Sequence, residues 1–169
     1  MQALRLAAML LILSLGMPHA QGAETLDKPK GKIVLVISGQ IAHKNRDNDA
    51  AFDMDMLAKL PQHTIATHTP WIPGISQFTG PYLQDVLAVV GAKGDKLKAI
   101  ALNDYKTEIP LADAAKFNVV LARLLNGKPM SVRDKGPLFI VYPYDSQPAL
   151  KSEIYYNRSA WQLKTLQVE

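Results

Sequence analysis

Short apolar runs separated by turn signals, with no regular strand–helix–strand repeat, limit what this chain can fold into more than any other feature of its sequence. β-Branched or alternating runs of this length predict strands. Their irregular mixture with helical segments, and turns such as Asn126-Gly127 that favour antiparallel pairing, indicate an α+β fold. We therefore expect a mixed, barrel-like sheet with short flanking helices and strands at residues 32–39, 63–69, 97–102, 106–109, 119–125, 137–143 and 161–168.

Two segments have the apolar periodicity of helices. The first begins near Asp49 or Asp53 and ends before Pro61, and a carboxylate at such a start favours capping over catalysis. The second has Pro81 in its first turn and ends at Gly91, which is the usual placement of these two residues. A further short helix is expected at 111–115. The segment PWIPGISQFTG, residues 70–80, is rich in Pro and Gly and predicts an irregular loop.

The first 20 residues have the layout of a secretory signal. One early cation, Arg5, precedes an apolar run and then small residues, so cleavage after Ala20 or Ala23 is expected. The run is short for a bilayer span, although an uncleaved anchor is an alternative. We expect residues 1–23 to be the signal peptide, 24–169 to be a single domain, and the mature protein to be periplasmic, with no membrane span of its own.

Composition excludes several classes of function. The chain has no cysteine, so it contains no disulfide, thiolate ligand or thiol nucleophile. The net charge of +4 is spread along the sequence, without the clusters of basic and aromatic residues typical of nucleic-acid binders. His63 and His68 are five apart on a predicted strand and point to opposite faces, which disfavours a shared metal ion. The G-x-S-x-G motif of serine hydrolases is absent.

Three loops carry candidate binding residues, each with a structural alternative. Trp71 lies between two prolines and either packs locally or offers a flat face to a planar ring. Asp104 belongs to a turn, where it is either a common turn residue or an acceptor for adjacent N–H donors. Arg133 and Lys135 precede Gly136, and these two cations are either solvated or hold an anionic or polyhydroxylated group.

Five segments stand in a characteristic order: FDMDMLAKLPQHTIATHTPW, FTGPYLQDVLAVVGA, ALNDYKTEIPL, VVLARLLNGKPMSVRDKGPLFIVYP and WQLKTLQV. Their order resembles the molybdopterin-binding domain of the sulfite oxidase family, over about residues 50–169. In that family one cysteine holds molybdenum, in the loop after the strand that follows a Leu-Pro pair. Here that loop reads HTPWIPG, and Trp71 stands at or near the cysteine position.

The chain is similar to the small exported, cysteine-less members of this superfamily that bind free pterins. The resemblance implies that Trp71 stacks on the bicyclic ring and that Asp104 accepts from its aminopyrimidine edge, beside Tyr105. It further implies that Arg133, Lys135 and Gly136 hold the hydroxylated side chain or the ring carbonyl. The weaker candidates on the same grounds are Thr67, Thr69 and Met130.

The implied function is a periplasmic, non-enzymatic pterin-binding protein without molybdenum. Its implied partner is the periplasmic domain of a membrane signalling protein, for example a regulator of cyclic di-GMP. One alternative is a subunit or remnant of a molybdopterin-dependent oxidoreductase, although a soft thiolate ligand is not easily replaced. Another is an interaction module whose pocket no longer binds a ligand.

Overall fold

The computed structural model describes residues 26–169, so the expected signal peptide lies outside the described part of the chain. The α-helices are α1 (Met54–Lys59), α2 (Leu83–Val89), α3 (Asp113–Lys116) and α4 (Glu153–Arg158). The strands are β1 (Ile33–Gly39), β2 (Ala50–Asp53), β3 (His63–Thr69), β4 (Ile72–Gly80), β5 (Lys96–Ala101), β6 (Lys106–Pro110), β7 (Val120–Ala122), β8 (Leu124–Leu125), β9 (Lys128–Pro129), β10 (Phe139–Val141) and β11 (Leu163–Val168). Single 3₁₀ turns occupy Val132–Asp134, Tyr144–Ser146 and Pro148–Leu150.

The strands form a five-stranded sheet, a four-stranded sheet and a two-stranded ribbon. The larger sheet has the order β2-β1-β11-β5-β6, in which only β1 and β11 are parallel. The smaller sheet has the order β3-β4-β8-β9, and the ribbon pairs β10 with β7. The expected α+β fold with mixed sheets and short helices is confirmed. The described strands hydrogen-bond as these three units and form no closed barrel.

The ribbon joins the two larger sheets. Leu121 N donates to Pro81 O just beyond β4, while Ile140 N donates to Ala160 O just before β11. An isolated bridge also pairs Phe139 with Trp161. These links bring the ends of β4, β10 and β11 together, and the candidate site lies at this junction.

The core follows the alternation of the strands. Leu35 and Ile37 of β1 are fully buried, as are Leu97 and Ala99 of β5. Since alternate side chains of a strand point to opposite faces, these residues cover one face of the larger sheet. The sequence pattern in these strands therefore directs the same face inward along the sheet.

Helix α1 begins later than its apolar spacing suggested, because residues 50–53 pair with β1 as strand β2. Asp53 is the N-cap: its Oδ1 accepts from Met56 N at 2.9 Å. Its Oδ2 accepts from Lys30 N at 2.7 Å and from Gly31 N at 2.8 Å. These N–H donors lower the pKa of the Asp53 carboxyl below its usual value. The capping role expected for an aspartate here is confirmed.

The expectation of an irregular loop at 70–80 was wrong, because residues 72–80 form β4 and pair with β3 from His63 to Thr69. Pro73 and Gly74 lie between the pairs Thr69↔Ile72 and His68↔Ile75, where the register shifts. A proline is tolerated at such an irregularity, since no ladder N–H is required there. Proline and glycine content alone therefore misled the sequence analysis.

Other strand expectations were confirmed with adjusted bounds. The β5–β6 hairpin turns at 102–105, and the β8–β9 hairpin turns at Asn126-Gly127, whose φ angles are 49° and 75°. The single strand expected at 119–125 is divided at Arg123 into β7 and β8. Within residues 26–169, no helix has the length and apolar character needed to cross a membrane.

Candidate functional site

Trp71 lies at the tip of the β3–β4 hairpin, where its ring packs in a cluster of aromatic rings. Pro70 and Trp71 form the turn between the paired residues Thr69 and Ile72, and Thr69 Oγ1 accepts from Ile72 N at 3.2 Å. The Trp71 ring is half-buried and meets its neighbours tilted or edge-on, at centroid distances of 5.1–6.4 Å. These neighbours are Phe139, Tyr144, Tyr156 and Trp161.

Helix α4 forms a second wall of the candidate site, and its last residue, Arg158, anchors it to the core. Arg158 donates from Nη1 to Oδ2 of the buried Asp113 at 2.8 Å, and Tyr142 Oη donates to the same oxygen at 2.8 Å. Just after the helix, the hydroxyls of Tyr144 and Ser159 are hydrogen-bonded. Burial, and then the Asp113 charge, raise the pKa of Tyr142 far above its usual value. Its phenol therefore stays protonated and continues to donate to Asp113.

Between these walls lies a cavity of about 310 Å³, which we call the aromatic pocket. This volume is at the small end of the range for ligand cavities, about 300–1,000 Å³. Tyr105 closes one side, where its hydroxyl donates to Asn157 O at 2.8 Å. Flat aromatic surfaces and several side-chain hydrogen-bonding groups therefore face the same space. The lining residues are Pro70, Trp71, Asn103, Tyr105, Glu153, Tyr156, Asn157, Ser159 and Trp161.

A family comparison covers the part of the chain that contributes Trp71 and Tyr105, while α4 and Trp161 follow the matched range. The sequence profile of the oxidoreductase molybdopterin binding domain matches residues 32–145. The chain belongs to this family. The resemblance inferred from the order of the motifs is thereby confirmed. No curated protein sequence matches the chain.

A solved structure with a similar fold is the sulfane dehydrogenase SoxCD from Paracoccus pantotrophus. The TM-score is 0.59 and the sequence identity is 19%, over 79% of this chain. At this identity the likeness is one of fold. The alignment covers 37% of the SoxCD chain, so our protein corresponds to little more than a third of that chain.

Of the residues implied by the family resemblance, Trp71 and Tyr105 meet in the aromatic pocket. Asp104 is their neighbour in sequence but does not line it. Its backbone is left-handed, with φ of 62°, and its carboxylate accepts from Lys164 Nζ at 3.0 Å. The Lys164 ammonium lowers the pKa of Asp104 below its usual value. In this arrangement Asp104 serves an ion pair outside the pocket.

The loop that carries Arg133 and Lys135 lies against Trp161, outside the aromatic pocket. Lys135 Nζ is 4.2 Å from the centroid of the Trp161 ring, a cation–π contact. Arg133 is exposed on the 3₁₀ turn just before it. Gly136 is buried, and a Cβ there would lie 2.0 Å from Met130 O. Glycine is therefore required at 136 by the close approach of two backbone segments.

The three remaining candidates also lie outside the aromatic pocket. Thr67 is buried, and its Oγ1 accepts from Asp145 N at 3.1 Å. Thr69 stabilises the turn that carries Trp71. Met130 lines a different cavity on the neighbouring face of the domain. Thr67 and Thr69 therefore make structural hydrogen bonds, and Met130 packs in the hydrophobic core, instead of contacting the aromatic pocket.

The pocket contains residues that the sequence analysis did not select. Glu153, Tyr156 and Asn157 are spaced at i, i+3 and i+4 and so lie on one face of α4. This spacing was readable in the sequence, but the segment had no predicted helix to place it on. Trp161 was read as the start of the last strand, whereas β11 begins at Leu163.

Proposed function

We propose that this protein binds a free pterin in the aromatic pocket, without molybdenum and without catalysing a reaction, and reports the bound state to a membrane partner in the periplasm. The observation that carries the proposal is the pocket itself, which Trp71, Trp161 and Glu153 line together. Family membership supports a pterin as the class of ligand, because molybdopterin is itself a pterin.

The aromatic walls suit a flat bicyclic ring. Aromatic stacking on a nucleobase-like ring contributes about 1–3 kcal/mol per ring, and the pterin ring system has the size and polarity of a purine. Two tryptophans and two tyrosines line the pocket and provide its aromatic surface.

Glu153 suits the edge of that ring. A pterin presents an amino group and a neighbouring ring nitrogen as adjacent hydrogen-bonding groups, and a carboxylate accepts two N–H donors side by side. Glu153 lines the pocket, whereas Asp104 is held by Lys164 outside it. We therefore transfer the role of edge acceptor from Asp104 to Glu153.

The donor set does not suit the metal of the full family cofactor. The chain has no cysteine, and a soft thiolate is the ligand that the resemblance implies for molybdenum. Among residues 26–169, no three His, Asp or Glu side chains form a group that could hold a metal ion. At or near the expected cysteine position stands Trp71, with its ring inside the aromatic cluster. This mismatch supports a ligand-binding function over the alternative of a molybdopterin-dependent oxidoreductase.

The proposal includes a periplasmic location, which the signal-like N-terminus supports. It also includes a signalling partner, such as a regulator of cyclic di-GMP, which the family resemblance supports. Cell fractionation tests the first point: a processed protein, shortened by about 20–23 residues, is expected in the periplasmic fraction. A full-length protein retained in the membrane fraction would contradict it.

Direct titration tests the ligand. Purified protein is titrated with neopterin and with tetrahydroneopterin, and binding is followed by calorimetry and tryptophan fluorescence. Guanosine and riboflavin serve as controls for unspecific stacking. We expect saturable binding of at least one pterin and quenching of tryptophan emission, because two of the pocket walls are indoles. Absence of pterin binding at millimolar concentration, or equal binding of all four compounds, would contradict the proposal.

A further inference from the structure

A second cavity, of about 460 Å³, lies next to the aromatic pocket, and we call it the apolar groove. Strand β1 forms one wall, and the segment around the 3₁₀ turn at Val132–Asp134 forms another. Leu102, just after β5, contributes to the same surface. The lining residues are Lys32, Ile33, Val34, Val36, Leu102, Met130, Ser131, Val132, Pro137, Lys164 and Thr165.

Exposed apolar side chains are concentrated in this groove. Ile33, Leu102 and Val132 are 38%, 44% and 50% exposed, and they are half of the six large hydrophobic residues exposed among residues 26–169. Single exposed apolar residues are ordinary, but a contiguous group of them marks an interaction surface. The groove therefore exposes apolar surface that a bound partner would bury.

The charge at the groove is positive. Lys32 and Lys164 line it, and Arg133 follows Val132 on the same turn. Lys164 is paired with Asp104 at 3.0 Å, and the Asp134 carboxylate accepts from Ser131 Oγ at 2.7 Å. Of the cations at the groove, Lys32 and Arg133 form no salt bridge within residues 26–169. A second copy of this chain would bring the same cations face to face, whereas carboxylates on a different protein would complement them.

Gln162 connects the groove to the aromatic pocket. It follows the pocket residue Trp161 and has a left-handed backbone, with φ of 51°. Its Nε2 donates to Val132 O at 2.7 Å, and its O accepts from Leu102 N at 2.8 Å. Its N donates to O of Lys135, the residue over the Trp161 ring, at 2.9 Å. The Val132 wall and Leu102 are thus hydrogen-bonded to the residue next to a pocket tryptophan.

From these observations we infer that the apolar groove docks a segment of another protein in which apolar side chains are flanked by carboxylates. This inference rests on the proposed function, because it assigns a surface to the partner that would read the ligand state of the aromatic pocket. The apolar side chains would cover Ile33, Leu102 and Val132, and the carboxylates would meet Lys32 and Arg133. A shift of Trp161 on ligand binding would reach this surface through Gln162.

The test uses a phage-displayed library of random 12-residue peptides, selected on the immobilised mature protein. Selected peptides are synthesised and their affinities are measured for wild type, Leu102→Asp and Val132→Asp. Ile75→Asp is the matched control, since Ile75 is 64% exposed but does not line the groove. The folding of every variant is checked by circular dichroism and thermal melting.

We expect the selected peptides to combine Leu, Ile or Phe with Asp or Glu. The groove variants should weaken binding about tenfold or more, as loss of one buried anchor does, while Ile75→Asp leaves it unchanged. Binding should also weaken with added salt. Failure to select peptides, selection of Lys- and Arg-rich sequences, or equal binding to the groove variants would overturn the inference.

A second arm separates this inference from the proposed function. The selected peptide is titrated onto Trp71→Ala, whose aromatic pocket is altered but whose groove residues are intact. Retained peptide affinity, together with an absence of pterin binding to wild type, would contradict the ligand and leave the groove supported. If wild type binds a pterin but no selected peptide depends on the groove, the proposed ligand is supported and the groove inference is contradicted. Where both bind, neopterin should change the peptide affinity of wild type and not that of Trp71→Ala; no change in wild type would overturn the link through Gln162.

Discussion

The Trp71 and Trp161 rings meet edge to face, with centroids 5.1 Å apart and planes at 75°. They come from opposite parts of the chain, the β3–β4 turn and the segment before β11. Lys135 lies over the second ring, so Trp161 is held from two sides. This contact forms part of the wall of the aromatic pocket, where we propose that the pterin ring binds.

Removal of either indole should weaken pterin binding. Trp71→Ala and Trp161→Ala are each expected to lower affinity about ten- to hundredfold, because each loses a stacking surface worth about 1–3 kcal/mol. Trp71→Phe keeps an aromatic ring and should lose less. Calorimetric titration with the pterin that binds wild type measures the effect, and unchanged affinity in a folded Trp71→Ala protein would refute the stacking role.

Glu153 should be the carboxylate that accepts hydrogen bonds from the N–H edge of the pterin ring. Glu153→Gln is expected to lower pterin affinity about tenfold or more, since a hydrogen bond to a charged group contributes about 1.5–3 kcal/mol. Asp104→Asn is the matched control, because Asp104 lies outside the pocket, paired with Lys164. If Asp104→Asn impairs binding and Glu153→Gln does not, the original assignment from the family resemblance is right and ours is wrong.

The sequence allowed the sheets to be predicted better than the pocket. Alternation identified β3 and β11, because a sheet with one buried face leaves a two-residue period, and a β-branched apolar run bounded by glycine identified β1. Trp71 was found because a tryptophan between prolines is conspicuous. Trp161 was seen only as the start of a strand, and its meeting with Trp71 depends on how β10 joins the sheets.

Glu153 and the loop around Gly136 show why the rest was missed. Glu153 is one acidic residue among many until α4 places it beside Tyr156. The family resemblance implied that Gly136 helps to hold the ligand, and in the structure the segment that approaches Gly136 is the Met130 backbone. In both cases a local conformation decides the contact, helix α4 in one and the loop from Met130 to Gly136 in the other, and composition alone does not specify that conformation.

Gly136→Ala should destabilise the fold. Its Cβ would lie 2.0 Å from Met130 O, so one backbone segment must move, at a cost of about 1–3 kcal/mol typical of overpacking. Gly31→Ala is the control, because the nearest atom to a Cβ there is an Asp53 oxygen at an ordinary 3.5 Å. Urea unfolding measures both variants. Equal stability of the two would contradict this explanation of Gly136.

Asp53 should make the stability of the domain sensitive to acid. Its pKa is lowered in the folded state, first by the Gly31 N–H and then by that of Met56, so its contribution is present above the unfolded pKa of about 3.9 and is lost as the pH falls through the lower folded value. Asp53→Asn places an amide NH₂ where backbone N–H groups need acceptors. The variant should therefore melt below wild type at neutral pH.

Thermal melts of wild type and Asp53→Asn, from about pH 7 to about pH 2.5, measure this dependence. The difference in Tm should narrow as the pH falls below about 4, where the wild-type carboxylate loses its advantage. Asp55→Asn removes the same charge from the same helix turn and serves as the control. A difference that stays constant with pH would contradict the assigned role of Asp53.

The most direct test of the central claim is the small-molecule content of the protein as isolated. Protein purified from the periplasm without added ligand is denatured, the extract is mildly oxidised and its pterin fluorescence is quantified, and molybdenum is assayed in the same sample. We predict pterin approaching one equivalent per chain, with no molybdenum above the buffer blank. Molybdenum in stoichiometric amount with a pterin would contradict the account and return the protein to the oxidoreductases of its family.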